Sequence, residues 1–243
     1  MMKQLWVRIL LGLVVVLALA MGGFVAWALN VPPIMPEATQ ALVSDPVVQV
    51  TRGRWIAFEP VNPTHTIGVI FYPGGRVDAG AYAPLMRSLA ENGYPAFIVP
   101  VTLNLALFSP DVAQPVIEAY PQIEQWVVGG HSLGGIAASQ FAGSHPVNGL
   151  FLQGSYSLPD LSASDVNVLV MMGTQDGLIP PEEVRSHDEN LPTDAQFLSI
   201  EGGNHAQFGW YGEQDGDNPA TISHEEQQQQ VLSALLTWLE TIQ

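Results

Sequence analysis

The chain contains no cysteine. That absence removes disulfides, thiolate metal ligands and a cysteine nucleophile together, so an exported form must take its stability from its core. Basic residues are nearly as scarce. Beyond Val31 there are five Arg and no Lys, against 23 acidic residues. Such a surface lacks the basic patches that hold nucleic acid or anionic headgroups, and it argues against both as partners. No His-x-x-x-His pair or carboxylate cluster has the spacing of a metal site, so no metal is expected.

The first long feature is apolar. Ile9 to Leu29 is a run of 21 residues without a charged or strongly polar side chain, and about 20 such residues match the hydrocarbon thickness of a bilayer. Lys3 and Arg8 precede it and the next ionisable residue is Glu37, which orients the N-terminus to the cytoplasm and the rest outside. Residues 1–30 are therefore read as a single-pass anchor or a signal peptide. Ala18-Leu19-Ala20 and Ala26-Trp27-Ala28 resemble cleavage sites, but the run exceeds a usual signal core of about 7–15 residues. Trp27 suits an interfacial aromatic, which favours the anchor in the cell membrane over a secreted or periplasmic form. Residues 31–46 carry Pro32, Pro33, Pro36 and Pro46 and are read as a semi-extended tether without apolar periodicity.

From residue 47 to 243 a single domain is expected. Val47–Thr51 and Trp55–Phe58, separated by Arg52-Gly53-Arg54, suggest an opening hairpin. Short apolar runs then follow at Ile67–Tyr72, Ala96–Val101, Trp126–Gly130, Gly149–Gln153, Val166–Met172 and Gln196–Ile200. Runs of this kind fit strands buried on both faces. Helical patterns alternate with them at Ala81–Asn92, Ser109–Tyr120, Leu133–Gly143 and Pro181–Asn190. Ser223–Gln243 forms the last helix, with Gln227–Gln230 read as its solvated face. The alternation predicts an α/β fold: a mostly parallel sheet of about eight strands flanked by helices.

Chemistry concentrates at three loops. Trp126–Gly130 runs into Gly130-His131-Ser132-Leu133-Gly134, and an alanine-rich helix follows. This is a G-x-S-x-G elbow in the strand–turn–helix setting it requires, with the serine held where a helix N-terminus favours negative charge. His131 is read as orienting the elbow. A serine hydroxyl needs a base, and the base an orienting acid. Asp176 follows a strand in Gly173-Thr174-Gln175-Asp176, and His205 ends Glu201-Gly202-Gly203-Asn204-His205. Both loops lie at the carboxyl edge of a parallel sheet. Asp160 and Asp165 are weaker candidates for the acid, and His65, His145, His187 and His224 are read as solvated or structural. The amide of Leu133 and that of Gly75, in Tyr72-Pro73-Gly74-Gly75-Arg76, are the candidate oxyanion donors.

These motifs in this order resemble the α/β-hydrolase superfamily, in particular small lidless bacterial members of dienelactone-hydrolase-like architecture. Those relatives usually carry Cys where this chain has Ser132, which speaks against their activity. Many members have His-Gly where Pro73-Gly74 stands. The resemblance implies a serine hydrolase acting on a small-molecule ester or related acyl compound without a cofactor, with Ser132, Asp176 and His205 as the triad. An acyltransferase or peptidase on the same triad, and a binding protein on the same scaffold, are the rival readings. In this fold a lid follows the sixth strand; Gly154–Asp165 is too short and polar for one, so no cap domain is expected. Small or extended, accessible substrates are therefore expected over long-chain lipid. The oligomeric state is not legible.

Overall fold

A computed structural model describes residues 2–242. In chain order, α1 (Met2–Leu29) and α2 (Pro36–Ala41) precede β1 (Val48–Arg52), β2 (Ile56–Pro60) and β3 (Ile67–Tyr72). Then come α3 (Ala83–Glu91), β4 (Ala96–Ile98), α4 (Gln114–Ala119), β5 (Gln125–His131) and α5 (Leu133–Ser144). The chain closes with β6 (Gly149–Gln153), β7 (Asn167–Gly173), α6 (Pro181–Arg185), β8 (Gln196–Ile200) and α7 (His224–Leu239).

The strands form one eight-stranded sheet of order β1-β2-β4-β3-β5-β6-β7-β8. β1 and β2 form the expected hairpin, β2 is antiparallel to β4, and every other pair is parallel. Alternation along the strands feeds two cores. Val69, Phe71, Val127, Phe151 and Met171 face a layer made by α2, α3 and α7. Ile70, Tyr72, Val128, Leu150 and Val170 face the layer of α4 and α5. Burial on both faces fixes register, because a slip of one residue would exchange the two sets.

Local chemistry trims some predicted elements. β4 stops at Ile98 because Pro100 has no N–H to donate to a neighbour. The helix read over Ser109–Tyr120 begins as a 3-10 turn at Pro110–Ala113 before α4. α6 ends at Arg185, with a separate 3-10 turn at Asp188–Asn190. Among the described residues, β6 joins β7 through residues 154–166 without a helix, so no cap covers that edge.

The N-terminal third of the reading needs correction. The 24 residues Trp6–Leu29 of α1 hold an 18-residue window of mean hydropathy 2.7, and the stretch is long and apolar enough to cross a membrane. Their side chains are exposed except at Val25 and Ala28. Residues 31–46, however, are not a free tether. Ile34, Ala38, Ala41 and Leu42 lie on one face, and that face packs into the core of α3 and α7. Pro36 sits at the first helical position of α2, where a missing N–H costs nothing. The periodicity was present, hidden among prolines that start a helix rather than prevent one.

Polar contacts complete the docking. The Met35 N–H donates to the Trp210 carbonyl at 2.9 Å. Arg87 donates to the carbonyls of Ala41 and Val43, at 3.1 and 2.7 Å, and pairs with Asp45. Full burial of an aliphatic side chain stabilises by about 1.5–3 kcal/mol, whereas a half-exposed ion pair contributes under about 1 kcal/mol. The apolar face therefore dominates. A fragment 47–243 is expected to melt several degrees below a fragment 30–243 in calorimetry; equal midpoints would show that the segment adds nothing to the domain.

Candidate active site

All three candidate catalytic side chains lie at the carboxyl edge of the sheet. Ser132 directly follows β5 and has φ 54° and ψ −126°, a strained conformation for a non-glycine residue that costs about 1–3 kcal/mol. Its backbone bonds offset that cost. The Ser132 N–H donates to the Gln153 carbonyl at 3.0 Å, and the Ser132 carbonyl accepts from Gly135 N–H at 3.0 Å and from Ser155 Oγ at 2.8 Å. The turn closes only because Gly134 lacks a side chain. A Cβ there would overlap the carbonyl oxygens of Tyr72 and Pro73.

Asp176 and His205 form a buried pair, with Oδ2 and Nδ1 2.7 Å apart. The other carboxylate oxygen, Oδ1, accepts from the amides of Leu178 and Ile179 at 2.9 and 2.7 Å. With Nδ1 donating to the carboxylate, the imidazole keeps Nε2 free to accept a proton. Nε2 is buried without a hydrogen-bond partner among the described residues. The Ser132 hydroxyl does not bond to it in this structure, a looseness common in substrate-free sites. Gly154, with φ 49°, closes over this pair; a Cβ on it would sit 3.0 Å from both Asp176 Oδ2 and His205 Nδ1.

The candidate oxyanion residues touch each other, since a Cβ on Gly75 would run into the Leu133 side chain. Leu133 opens α5, so its N–H has no acceptor a turn earlier. The Gly75 N–H finds no backbone or side-chain acceptor among the described residues. By contrast Asp160 lies in the exposed loop, capping Ser162, and His65 and His187 stack on Tyr94 and Tyr156 away from the pair. No group of three or more His, Asp or Glu side chains that could hold a metal ion occurs among the described residues.

Three supporting residues escaped the sequence reading. Asp217 accepts from Gly177 N–H at 2.9 Å and from Ala206 N–H at 2.8 Å, tying the Asp176 loop to the His205 loop. Gln227 is buried, not solvated as its run suggested. Its amide accepts from Asn204 N–H at 2.9 Å and donates to the Asn204 carbonyl at 2.8 Å. Helical period explains the correction: residues 227, 231, 235 and 238 share the buried face of α7. A pattern count over Gln227–Leu239 would have found it.

The third is Tyr82. Its hydroxyl accepts from Gly74 N–H at 3.0 Å and lies 2.8 Å from His131 Nδ1. The hydroxyl and the His131 ring share one hydrogen bond inside the core. Tyr82 thus links the loop before Gly75 to the elbow. His131 is fully buried with its ring centroid 4.3 Å from that of His205. Burial first, and the nearby His205 charge second, hold its pKa well below the ordinary 6.5.

A neutral buried histidine couples stability to pH. Unfolded, His131 takes up a proton as pH falls through 6.5, while the folded state does not until far lower pH. Stability should therefore fall below pH 6.5, by up to about 1.4 kcal/mol per pH unit from this one group. Denaturant unfolding of wild type and His131→Asn between pH 7 and 5 checks this. The variant should show the shallower pH dependence, and parallel curves would contradict it.

With the geometry in place, likeness to known proteins can be stated. Residues 68–229 match the model of the alpha/beta hydrolase family. No curated protein shows significant sequence similarity to the chain. TT1662 from Thermus thermophilus is similar in structure, with a TM-score of 0.58, 16% identity, and coverage of 80% of this chain and 99% of that one. A thermophilic esterase from Thermogutta terrifontis gives 0.56 at 14% identity, covering 83% and 97% of the two chains. XC6422 from Xanthomonas campestris, described as a serine hydrolase without lid, gives 0.56 at 16% identity, covering 82% and 96%. The family match spans most of the domain and the fold agrees with it: the chain belongs to the alpha/beta hydrolase family.

Proposed function

We propose that this hydrolase is a membrane-anchored, exported serine esterase, with Ser132 as nucleophile, His205 as base and Asp176 as orienting acid. The observation that carries the reading is the 2.7 Å Asp176–His205 bond, which leaves Nε2 buried and unpartnered at the edge where Ser132 stands strained. His205 Nε2 takes the Ser132 proton as Oγ attacks the ester carbonyl carbon. The carbonyl oxygen becomes an oxyanion, held by the amides of Leu133 and Gly75. The protonated imidazole then returns the proton to the departing alkoxide, leaving an acyl-serine. Water, deprotonated by the same nitrogen, repeats the sequence and releases the carboxylic acid. No cofactor enters these steps.

Ester chemistry is supported by the Thermogutta terrifontis neighbour, which is an esterase. Anchoring is supported by α1 and by its far end, where Ala28 is fully buried against the domain. Cleavage at Ala26-Trp27-Ala28 would forfeit that contact.

Two variants test the triad. Ser132→Ala should lose several orders of magnitude in ester turnover and all labelling by a fluorophosphonate probe. Asp176→Asn should fall about 10⁴-fold, because the amide favours the wrong imidazole tautomer. Turnover near wild type in Ser132→Ala would overturn the assignment, and unlabelled wild type would favour a binding protein on this scaffold. Protease added to spheroplasts should reach the domain; protection would contradict export.

A further inference from the structure

The end of α1 does not stop short of the candidate active site. Arg76, the residue after Gly75, donates through Nε to the Trp27 carbonyl at 3.2 Å and through Nη2 to the Asn30 carbonyl at 2.9 Å. Its guanidinium lies 4.4 Å from the centroid of the Trp27 ring. Asn104 Nδ2 donates to the Ala28 carbonyl at 3.2 Å, and the Asn104 carbonyl accepts from Arg76 N–H at 2.7 Å. The last carbonyls of a helix need such donors. Here they come from Arg76, on the loop that carries a candidate oxyanion residue, and from Asn104 in the segment after β4.

Three non-glycine residues at this junction have positive φ: Arg76 at 56°, Leu103 at 54° and Asn104 at 53°. Strain of this kind persists only where surrounding contacts hold it. Beside the junction a cavity of about 330 Å³ is lined by Gly75, Arg76 and Tyr211 and walled by Pro32, just past the helix. The loop of the candidate oxyanion residue Gly75 and the exit of the apolar span therefore border one cavity, which Glu213 and Asp215 also line.

An apolar loop continues the junction downward. Leu107 and Phe108 are 43% and 58% exposed, the only adjacent pair of exposed large apolar residues outside α1 among the described residues. Phe108 packs edge-on to Phe24 of α1, ring centroids 6.4 Å apart. Phe24 lies five residues before Leu29, about 7 Å down the helix axis. If α1 spans a bilayer, Phe108 sits at the depth of the span itself, within the roughly 5–10 Å layer that interfacial side chains occupy. The absence of a cap predicts small or extended, accessible substrates; the docked segment 31–46 adds that the Gly75 loop lies at the end of α1.

We propose that the Leu105–Phe108 loop and the last turns of α1 seat the mouth of the catalytic cleft on the lipid surface, so that its substrate is an ester resident in the bilayer interface. This rests on the membrane-anchored hydrolase reading above. The partner is a lipid surface engaged by apolar insertion, since Arg76 is the only cation at the junction among the described residues. A site without a cap suits such a substrate. It needs to reach only the ester at headgroup level, leaving the acyl chain in the bilayer.

The test uses the full chain in palmitoyl-oleoyl phosphatidylcholine vesicles. Because the protein has no cysteine, Phe108→Cys and Gln122→Cys each provide a single site for an environment-sensitive NBD label. Gln122 is exposed and precedes β5, at the opposite edge of the sheet. The label at 108 should be blue-shifted and quenched by lipids brominated near the headgroup end, while the label at 122 should report water. A second arm compares esters. Phe108→Asp should lower turnover of a vesicle-borne ester about tenfold, the scale of losing one buried aromatic, and leave p-nitrophenyl acetate turnover unchanged. Water-like emission at 108, equal turnover of the vesicle-borne ester, or a mature chain lacking α1 would each overturn the proposal. Fluorophosphonate labelling of the same preparations separates the outcomes: without it the hydrolase reading fails, while the NBD arm still judges the docking.

Discussion

The backbone at Ser132 is the constraint on which the rest of the site depends. A strand that runs directly into a helix leaves one residue for the turn, and that residue takes φ 54°. The conformation survives because β5 is the centre of a sheet buried on both faces and α5 is clamped beneath the end of β3. Gly134 makes that clamp possible by letting the helix start against the Tyr72 carbonyl. Everything chemical is then arranged around a hydroxyl whose position is set by packing, not by its own hydrogen bonds.

Around that point the polar groups work in tiers. Asp176 holds His205, and two amides hold Asp176. Asp217 joins the two loops, and Gln227 fastens the backbone just before His205. On the other side Tyr82 connects the Gly74 amide to His131. Buried networks of this kind hold one geometry when every member is satisfied. His131 is buried against the His205 ring, and burial keeps it neutral there.

The N-terminal segment has a double character. α1 is apolar all round, as a membrane span is, yet its last turn is bound by Arg76 and Asn104 like any helix end inside a domain. α2 and the residues around it cover the α3–α7 core that a free tether would leave open. The end of the apolar helix and the loop of Gly75 are thereby in direct contact.

Much of this was written in local pattern. Apolar runs of strand length gave three of the eight strands, β3, β6 and β8, to the residue. Glycines around Ser132 and the loops holding Asp176 and His205 pointed to the candidates, because those positions answer to backbone sterics and to chain order, and two of them meet in a hydrogen bond. Tertiary structure decided what depends on neighbours remote in sequence. Asp217 and Tyr82 acquire roles only when loops 40 and more residues apart are folded together, and no spacing rule connects them. The helical spacing of Gln227 with Val231, Leu235 and Trp238 places it on the buried face of α7, but its bonds to Asn204 exist only once that face lies against the His205 loop. The prolines of residues 31–46 read as a tether until the α3–α7 layer offers Ile34, Ala38 and Leu42 a surface. Sequence by itself determined which residues had the chemistry; only packing determined which of them would be held, and against what.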